Sequence, residues 1–126
     1  MLETMTREKT VIFDHEKLDV YHTAVEFVIT ADSIVENLPR GRGYLSDQLQ
    51  RAALSISLNI AEGAGEYSID EKARFYRMAK RSATECAGIL DICQKLQLLD
   101  EMRYALSREL LIRIVSMLIK MAQKTR

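Results

Sequence analysis

Four side chains near the start of the chain are of types that bind metal ions. His15, Asp19, His22 and Glu26 follow one another at spacings of four, three and four residues, which places them on one face of a helix. Helical di-iron proteins use two Glu-x-x-His motifs with further glutamates from other helices, whereas this stretch offers one Asp-x-x-His. We therefore interpret the four as a solvated acidic face and expect no metal site and no cofactor.

Other residues with chemical potential also lack the pattern that catalysis requires. The Gly-Ala-Gly sequence at 63–65 is not followed by the Lys-Ser/Thr of a phosphate-binding loop. Cys86 and Cys93 are seven residues apart, which is two helical turns and about 10 Å, beyond the reach of a disulfide. We interpret them as reduced thiols in the core and predict that the protein is not an enzyme.

The stretch from Leu45 to Ala64 predicts a helix that is apolar nearly all round but carries one polar stripe. The stripe consists of Gln48, Arg51, Ser55, Asn59 and Glu62. Because buried polar groups are costly unless they are hydrogen-bonded, we predict that Arg51, Ser55, Asn59 and Glu62 form a buried polar network that sets packing or subunit register. A direct ligand site is the alternative. Arg51 and Glu62 are about 16 Å apart along one helix, so their partners must lie on other helices or other subunits.

Charge is balanced overall and strongly segregated along the chain. The chain has 18 Lys and Arg against 18 Asp and Glu. Residues 14–36 contain six acids and one lysine, residues 72–81 contain five bases and no acid, and residues 103–126 contain six bases and one acid. One hypothesis is that the bases form a phosphate-binding surface on the third and fourth helices. Its candidate residues are Arg74, Arg77, Lys80, Arg81, Arg113, Lys120 and Lys124. The alternative is that these charges pair between helices or subunits and serve only self-assembly.

The apolar periodicity of three and four residues predicts an all-α protein with four helices. We expect them at about Glu16 to Asn37, Leu45 to Ala64, Ser68 to Gln97, and Asp100 to Lys124. Ser68 and Asp100 are the predicted N-caps, and Gly63 and Gly65 are suited to a left-handed C-terminal cap. Short connections between the helices predict an antiparallel up-down-up-down four-helix bundle. One domain, residues 14–126, would follow a loosely ordered lead-in at residues 1–13.

The second and fourth helices carry more apolar surface than one packing seam requires. Between Leu110 and Ala122 the only polar residues are Arg113, Ser116 and Lys120. Surplus apolar surface marks an interface, and we therefore expect a homo-oligomer. No apolar run is long enough for a membrane span or a secretory signal, which predicts a cytoplasmic protein without a membrane partner.

Three segments of the sequence resemble a known family. The family pattern falls on Leu18, Val20 and Tyr21; on Arg51, Ala52, Ser55, Ile56, Asn59, Ile60, Ala61, Glu62, Gly63 and Gly65; and on Phe75, Ala79, Ser82 and Glu85. These residues resemble the small bacterial four-helix bundle proteins first noted in intervening sequences of 23S ribosomal RNA genes. The similarity runs from about residue 14 to the end of the chain.

The resemblance implies an architecture more than an activity. It implies an antiparallel four-helix bundle that assembles into a barrel-shaped pentamer without catalytic activity. A related branch, the accessory variability proteins of diversity-generating retroelements, partners a reverse transcriptase and binds nucleic acid. By that analogy the expected partners are RNA or DNA and a reverse transcriptase or another protein. That branch is strongly basic, whereas this chain has no net charge.

Overall fold

The computed structural model describes residues 12–124, and side chains up to residue 123. It contains helices α1 (Asp19–Glu36), α2 (Gly43–Ala64), α3 (Ile69–Lys95) and α4 (Glu101–Lys124), preceded by a short 3-10 helix at Asp14–Lys17. The described part holds no strand, which confirms the predicted all-α class. Apart from Ile12 and Phe13, the predicted lead-in at residues 1–13 lies outside the described residues.

Two helix starts confirm the capping signals of the sequence. The Ser68 hydroxyl oxygen accepts a hydrogen bond from the backbone N–H of Glu71, at 3.2 Å, ahead of α3. The Asp100 carboxylate accepts one from the backbone N–H of Arg103, at 2.8 Å, ahead of α4. Each cap satisfies an N–H group that has no partner inside its own helix.

The first helix begins later than the sequence predicts. Leu18 has extended backbone angles, φ −97° and ψ 124°, and separates the 3-10 helix from α1. The prediction of a continuous helix from Glu16 was therefore wrong. The extended residue lets the Leu18 side chain pack against the core, while the 3-10 helix contacts α2. The carboxylate of Glu16 accepts a hydrogen bond from the backbone N–H of Phe13, at 2.6 Å, and closes this short turn.

The end of α2 also differs from the prediction. Gly65 has φ −87°, which is a right-handed conformation, so the predicted left-handed cap was wrong. Lys72 of α3 provides the cap instead, because its ammonium group donates hydrogen bonds to the carbonyl oxygens of Gly63 and Ala64, at 3.1 and 2.9 Å. Gly63 is needed for close approach between helices: a Cβ atom at this position would lie 2.8 Å from Cε1 of Tyr76.

The helices form a four-helix bundle in which neighbours along the chain are neighbours in space. α2 packs against α1 and α3, and α4 packs against α3 and α1, whereas no Cα atoms of the diagonal pairs α1/α3 and α2/α4 lie within 8 Å of each other. Ser55 of α2 bonds Ser82 of α3, and nearer the end of α2 Gly63 meets Tyr76, so these two helices run antiparallel. This arrangement agrees with the predicted up-down-up-down bundle.

The core is an apolar seam to which all four helices contribute. Its largest fully buried side chains include Phe27, Leu49, Ile56, Ile60, Leu90, Ile114 and Leu118. Cys86 and Cys93 are buried free thiols, as the sequence predicted, and burial raises the pKa of the Cys86 thiol to about 12. Of the helices described, none is long and apolar enough to cross a bilayer.

Candidate nucleic-acid interface

Four cations project from the first half of α3. Arg74, Arg77, Lys80 and Arg81 are all exposed, and together with Met78 and Thr84 they line an open groove of about 550 Å³. These are the α3 residues that the sequence singled out as candidate phosphate ligands. We call the four cations the α3 basic cluster.

The position of the cluster follows from the pattern of the core-facing residues. Ala73, Tyr76, Ala79 and Ala83 are buried against the neighbouring helices. Since side chains three and four residues apart share one face of a helix, the residues between these positions must face away from the core. The small alanines fill little space, so α3 lies close to its neighbours, and the long cations extend outward beside Met78 and Thr84.

One member of the cluster is already paired within the chain. The Arg74 guanidinium forms a salt bridge with Glu71 at 3.0 Å and lies 4.7 Å from the centre of the Phe75 ring. The hydrogen bond from Arg74 is the main cause of a lowered pKa at Glu71, and it raises the pKa of Arg74 in return. Both groups are solvent-exposed, so the bridge fixes the direction of the guanidinium more than it stabilises the fold.

The remaining three cations have no counter-ion in the part of the chain that the structure describes. Arg77, Lys80 and Arg81 form no salt bridge there. No acid occurs between Lys72 and Thr84 on their own helix. Glu85 lines the same groove as Arg81, one helical turn further on, but no described acid lies within salt-bridge distance of the three cations. Their charges are therefore open to an external anion.

The candidate cations of α4 lie elsewhere. Arg113 lines the groove between α1 and α4 together with Asp19 and Glu26, so two acidic side chains share its groove. Lys120 is exposed on α4, and the side chain of Lys124 lies outside the described residues. Among the described residues, the structure thus does not bring Arg113 into one face with the α3 basic cluster, and the concentrated positive charge lies on α3.

The polar stripe of α2 borders the α3 basic cluster. Ser55 and Asn59 line a second open groove, of about 510 Å³, which shares Met78 and Arg81 with the first. The hydroxyl groups of Ser55 and Ser82 are 2.9 Å apart. The Asn59 amide nitrogen donates hydrogen bonds to the Ser55 carbonyl and hydroxyl oxygens, at 2.9 and 3.0 Å. Ser55 and Asn59 thus belong to a polar contact between α2 and α3.

Ser82 and Glu85 complete this contact, although the sequence analysis did not assign them to a site. The Gln48 amide lies 3.4 Å from the Glu85 carboxylate, one helical turn beyond the Ser55–Ser82 pair. The available signal was their spacing of three, which puts both residues on one side of α3. Sequence alone does not show that this side meets the α2 stripe.

The two charged ends of the stripe are not buried in the single chain. Arg51 and Glu62 are exposed and form no salt bridge with any residue that the structure describes. Of the four residues in the predicted buried network, only Ser55 and Asn59 are half-buried and hydrogen-bonded. Arg51 and Glu62 thus extend from α2 without a salt-bridge partner within residues 12–123.

The histidines near the start of the chain make other contacts. His15 lies against the rings of Phe13 and Tyr21, with centroid distances of 5.7 and 4.5 Å. A ring nitrogen of His22 is 2.8 Å from the carbonyl oxygen of Glu16. Among the described residues, no three His, Cys, Asp or Glu side chains converge to hold a metal ion.

Comparisons with known proteins agree with this architecture. The family model described as 23S rRNA-intervening sequence protein matches residues 16–120. A crystal structure from Bacteroides thetaiotaomicron VPI-5482, described as a protein of unknown function from the S23 ribosomal protein family, superposes with a TM-score of 0.76. The two chains are 20% identical, and the similarity covers 82% of this chain and 97% of that one. No curated protein matches the chain.

Proposed function

Because the chain belongs to the 23S rRNA-intervening sequence protein family, we propose that it is a non-enzymatic accessory protein that binds RNA or DNA as a homo-oligomer. The observation that carries the proposal is the α3 basic cluster, because three of its four exposed cations form no salt bridge with any described residue. Arg113 is left out of the binding surface because it lines the groove between α1 and α4, and Lys120 is left out because it follows Arg113 by seven residues and so shares its side of α4.

Phosphate contacts account for most of the affinity of non-specific nucleic-acid binding. Arg77 and Arg81 are four residues apart, so they stand about 6 Å apart along the outer side of α3. A few such contacts in one chain give weak binding. Repetition of the cluster around an oligomer multiplies the contacts that one nucleic acid can make, which offsets the balanced charge of the chain.

Self-association is part of the proposal because large apolar side chains stay exposed on the single bundle. Leu54 and Leu58 of α2 are 49% and 54% exposed, and Met102 and Ile112 of α4 are 72% and 52% exposed. Surfaces of this kind are typical of interfaces between subunits. The family resemblance implies a pentamer, and the analogy with the accessory variability proteins of diversity-generating retroelements adds a reverse transcriptase or another protein as a further partner. The proposed location is the cytoplasm.

The proposal is tested by fluorescence anisotropy with a structured RNA and a DNA duplex of similar length at low salt. Replacing Arg77, Lys80 and Arg81 by alanine is expected to weaken binding at least tenfold. The matched control replaces three exposed cations outside the cluster, Arg40, Lys95 and Arg108, by alanine and changes net charge equally. Equal weakening in both triple variants would contradict a specific role for α3. Absence of binding to either nucleic acid would favour a structural ring whose charges serve assembly only.

A further inference from the structure

Two exposed apolar faces lie on diagonal helices of the bundle. Tyr44, Leu54 and Leu58 are exposed on α2, and Met102 and Ile112 are exposed on α4, with Ile112 beside the groove between α1 and α4. No Cα atoms of α2 and α4 lie within 8 Å of each other, so the two faces point to different sides of the bundle. A molecule with two different faces that match each other can associate head to tail with copies of itself, and a ring closes where the angle between the faces allows it.

The contacts of α3 show which residues of α2 and α4 lie at the same height. Ser55 pairs with Ser82, and Tyr104 donates a hydrogen bond to Asp91. Ser82 precedes Asp91 by nine residues on α3. Because α4 runs antiparallel to α3, the α4 residue level with Ser82 follows Tyr104 by nine residues and is Arg113. Ser55 is therefore level with Arg113. The difference between these two residue numbers is 58, so each α2 residue is level with the α4 residue whose number is 58 higher.

This relation aligns the apolar residues of the two faces. Tyr44 is level with Met102, and Leu54 is level with Ile112. When copies are related by rotation about an axis parallel to the helices, each residue keeps its height. The α2 face of one copy then presents large apolar side chains to large apolar side chains on the α4 face of the next.

The same relation aligns opposite charges. Arg51 of α2 is level with Glu109 of α4, and Glu62 is level with Lys120. All four side chains are exposed, and none forms a salt bridge with a described residue of its own chain. If two copies related by such an axis instead met through their α2 faces, Arg51 of one copy would lie opposite Arg51 of the other. Charge complementarity therefore favours contact between α2 and α4.

We propose that the outer face of α2 in one copy packs against the outer face of α4 in the next, with Arg51 paired to Glu109 and Glu62 paired to Lys120 between copies. The inference deepens the assembly part of the proposed function and rests on it. It assigns partners to the two charged ends of the polar stripe. It also leaves the α3 basic cluster on a side of the bundle that the contact does not cover.

A charge swap tests the pairing, with mass in solution measured by light scattering at low salt. R51E alone and E109R alone each place like charges opposite one another in every contact and are expected to weaken association at least tenfold. The double variant R51E/E109R restores an opposite pair and is expected to recover the wild-type mass. D32R on α1, an exposed reversal outside both faces, is the control and is expected to leave the mass unchanged. Failure of the double variant to recover would overturn the pairing.

Disulfide trapping tests the same contact without altering charge. Leu54→Cys with Ile112→Cys puts the two thiols on diagonal helices whose Cα atoms are more than 8 Å apart, so any disulfide between them joins two chains. Mild oxidation is expected to give covalent multimers, whereas Ile29→Cys with Thr84→Cys, on α1 and α3, is expected to give none.

The outcomes separate this inference from the proposal on which it rests. A monomeric wild-type mass would overturn both self-association and this contact. An oligomer that neither forms the Leu54–Ile112 cross-link nor responds to the charge swap would overturn the contact alone and leave assembly intact. Nucleic-acid binding is measured separately, through variants of α3.

Discussion

Replacing Gly63 by alanine tests whether close approach of α2 and α3 requires a residue without a side chain. In an unobstructed helix the change stabilises by about 0.5–1 kcal/mol, because alanine loses less conformational entropy. Here the new Cβ would meet Cε1 and Cδ1 of Tyr76 at 2.8 and 3.0 Å and Cβ of Phe75 at 3.0 Å. Tyr76 is buried, and overpacking of this kind costs about 1–3 kcal/mol. We expect a net loss of about 1 kcal/mol from these opposing terms.

Gly88→Ala provides the matched control, because a Cβ at this exposed helical position meets nothing within 4 Å. We expect that variant to gain about 0.5–1 kcal/mol. The assay is urea denaturation of both variants and the wild type at one protein concentration, since self-association adds to apparent stability. Gly63→Ala would refute the reasoning if it stabilised the protein as much as Gly88→Ala does.

Three further predictions address the cap, the polar contact and the buried thiol. Lys72→Met removes the two hydrogen bonds that cap α2 and is expected to cost about 1–2 kcal/mol in urea denaturation, whereas Lys80→Met at an exposed site is expected to cost little. Equal effects would contradict the capping role. Asn59→Leu removes the bonds to Ser55 and is expected to change oligomeric mass or melting temperature, and no change in either would contradict a structural role. Burial raises the pKa of the Cys86 thiol to about 12 from 9.0 for the free group. The stability that the folded state gains by keeping this thiol protonated is therefore fully present below pH 9. This contribution falls by up to about 1.4 kcal/mol per pH unit as the pH rises from 9 towards 12. Cys86→Ala is therefore expected to show a shallower alkaline loss of stability, and an unchanged slope would contradict this account.

Local signals were enough to predict most of the fold. The spacing of Ser68 and Glu71 predicted the start of α3, and Asp100 predicted the start of α4, because a cap is satisfied within one helical turn. The extended conformation of Leu18 was missed because it results from docking of that side chain on the core. The role of Gly63 was missed for a similar reason, since its contact with Tyr76 joins two helices.

The candidate site was only partly predictable, because helical spacing assigns residues to a face but does not orient one helix against another. Arg77, Lys80 and Arg81 share one helix, so the sequence sufficed to group them. Arg113 was grouped with them by charge alone, whereas α4 places it in a groove beside Glu26. The sequence predicted a partner for Arg51 on another helix or another subunit. No described residue of the same chain forms a salt bridge with it, so a partner in another copy remains a prediction.

The salt dependence of nucleic-acid binding tests the central claim most directly. The affinity of the wild-type protein for one structured RNA is measured over a series of salt concentrations, beside the Arg77, Lys80 and Arg81 triple variant. Each phosphate contact adds about 0.7–0.9 to the slope of log affinity against log salt. We expect a steep slope for the wild type. In the triple variant, three lost phosphate contacts are expected to reduce the magnitude of the slope by about 2 or more for each subunit that binds the RNA. Identical slopes for the two proteins, or binding that does not respond to salt, would contradict it.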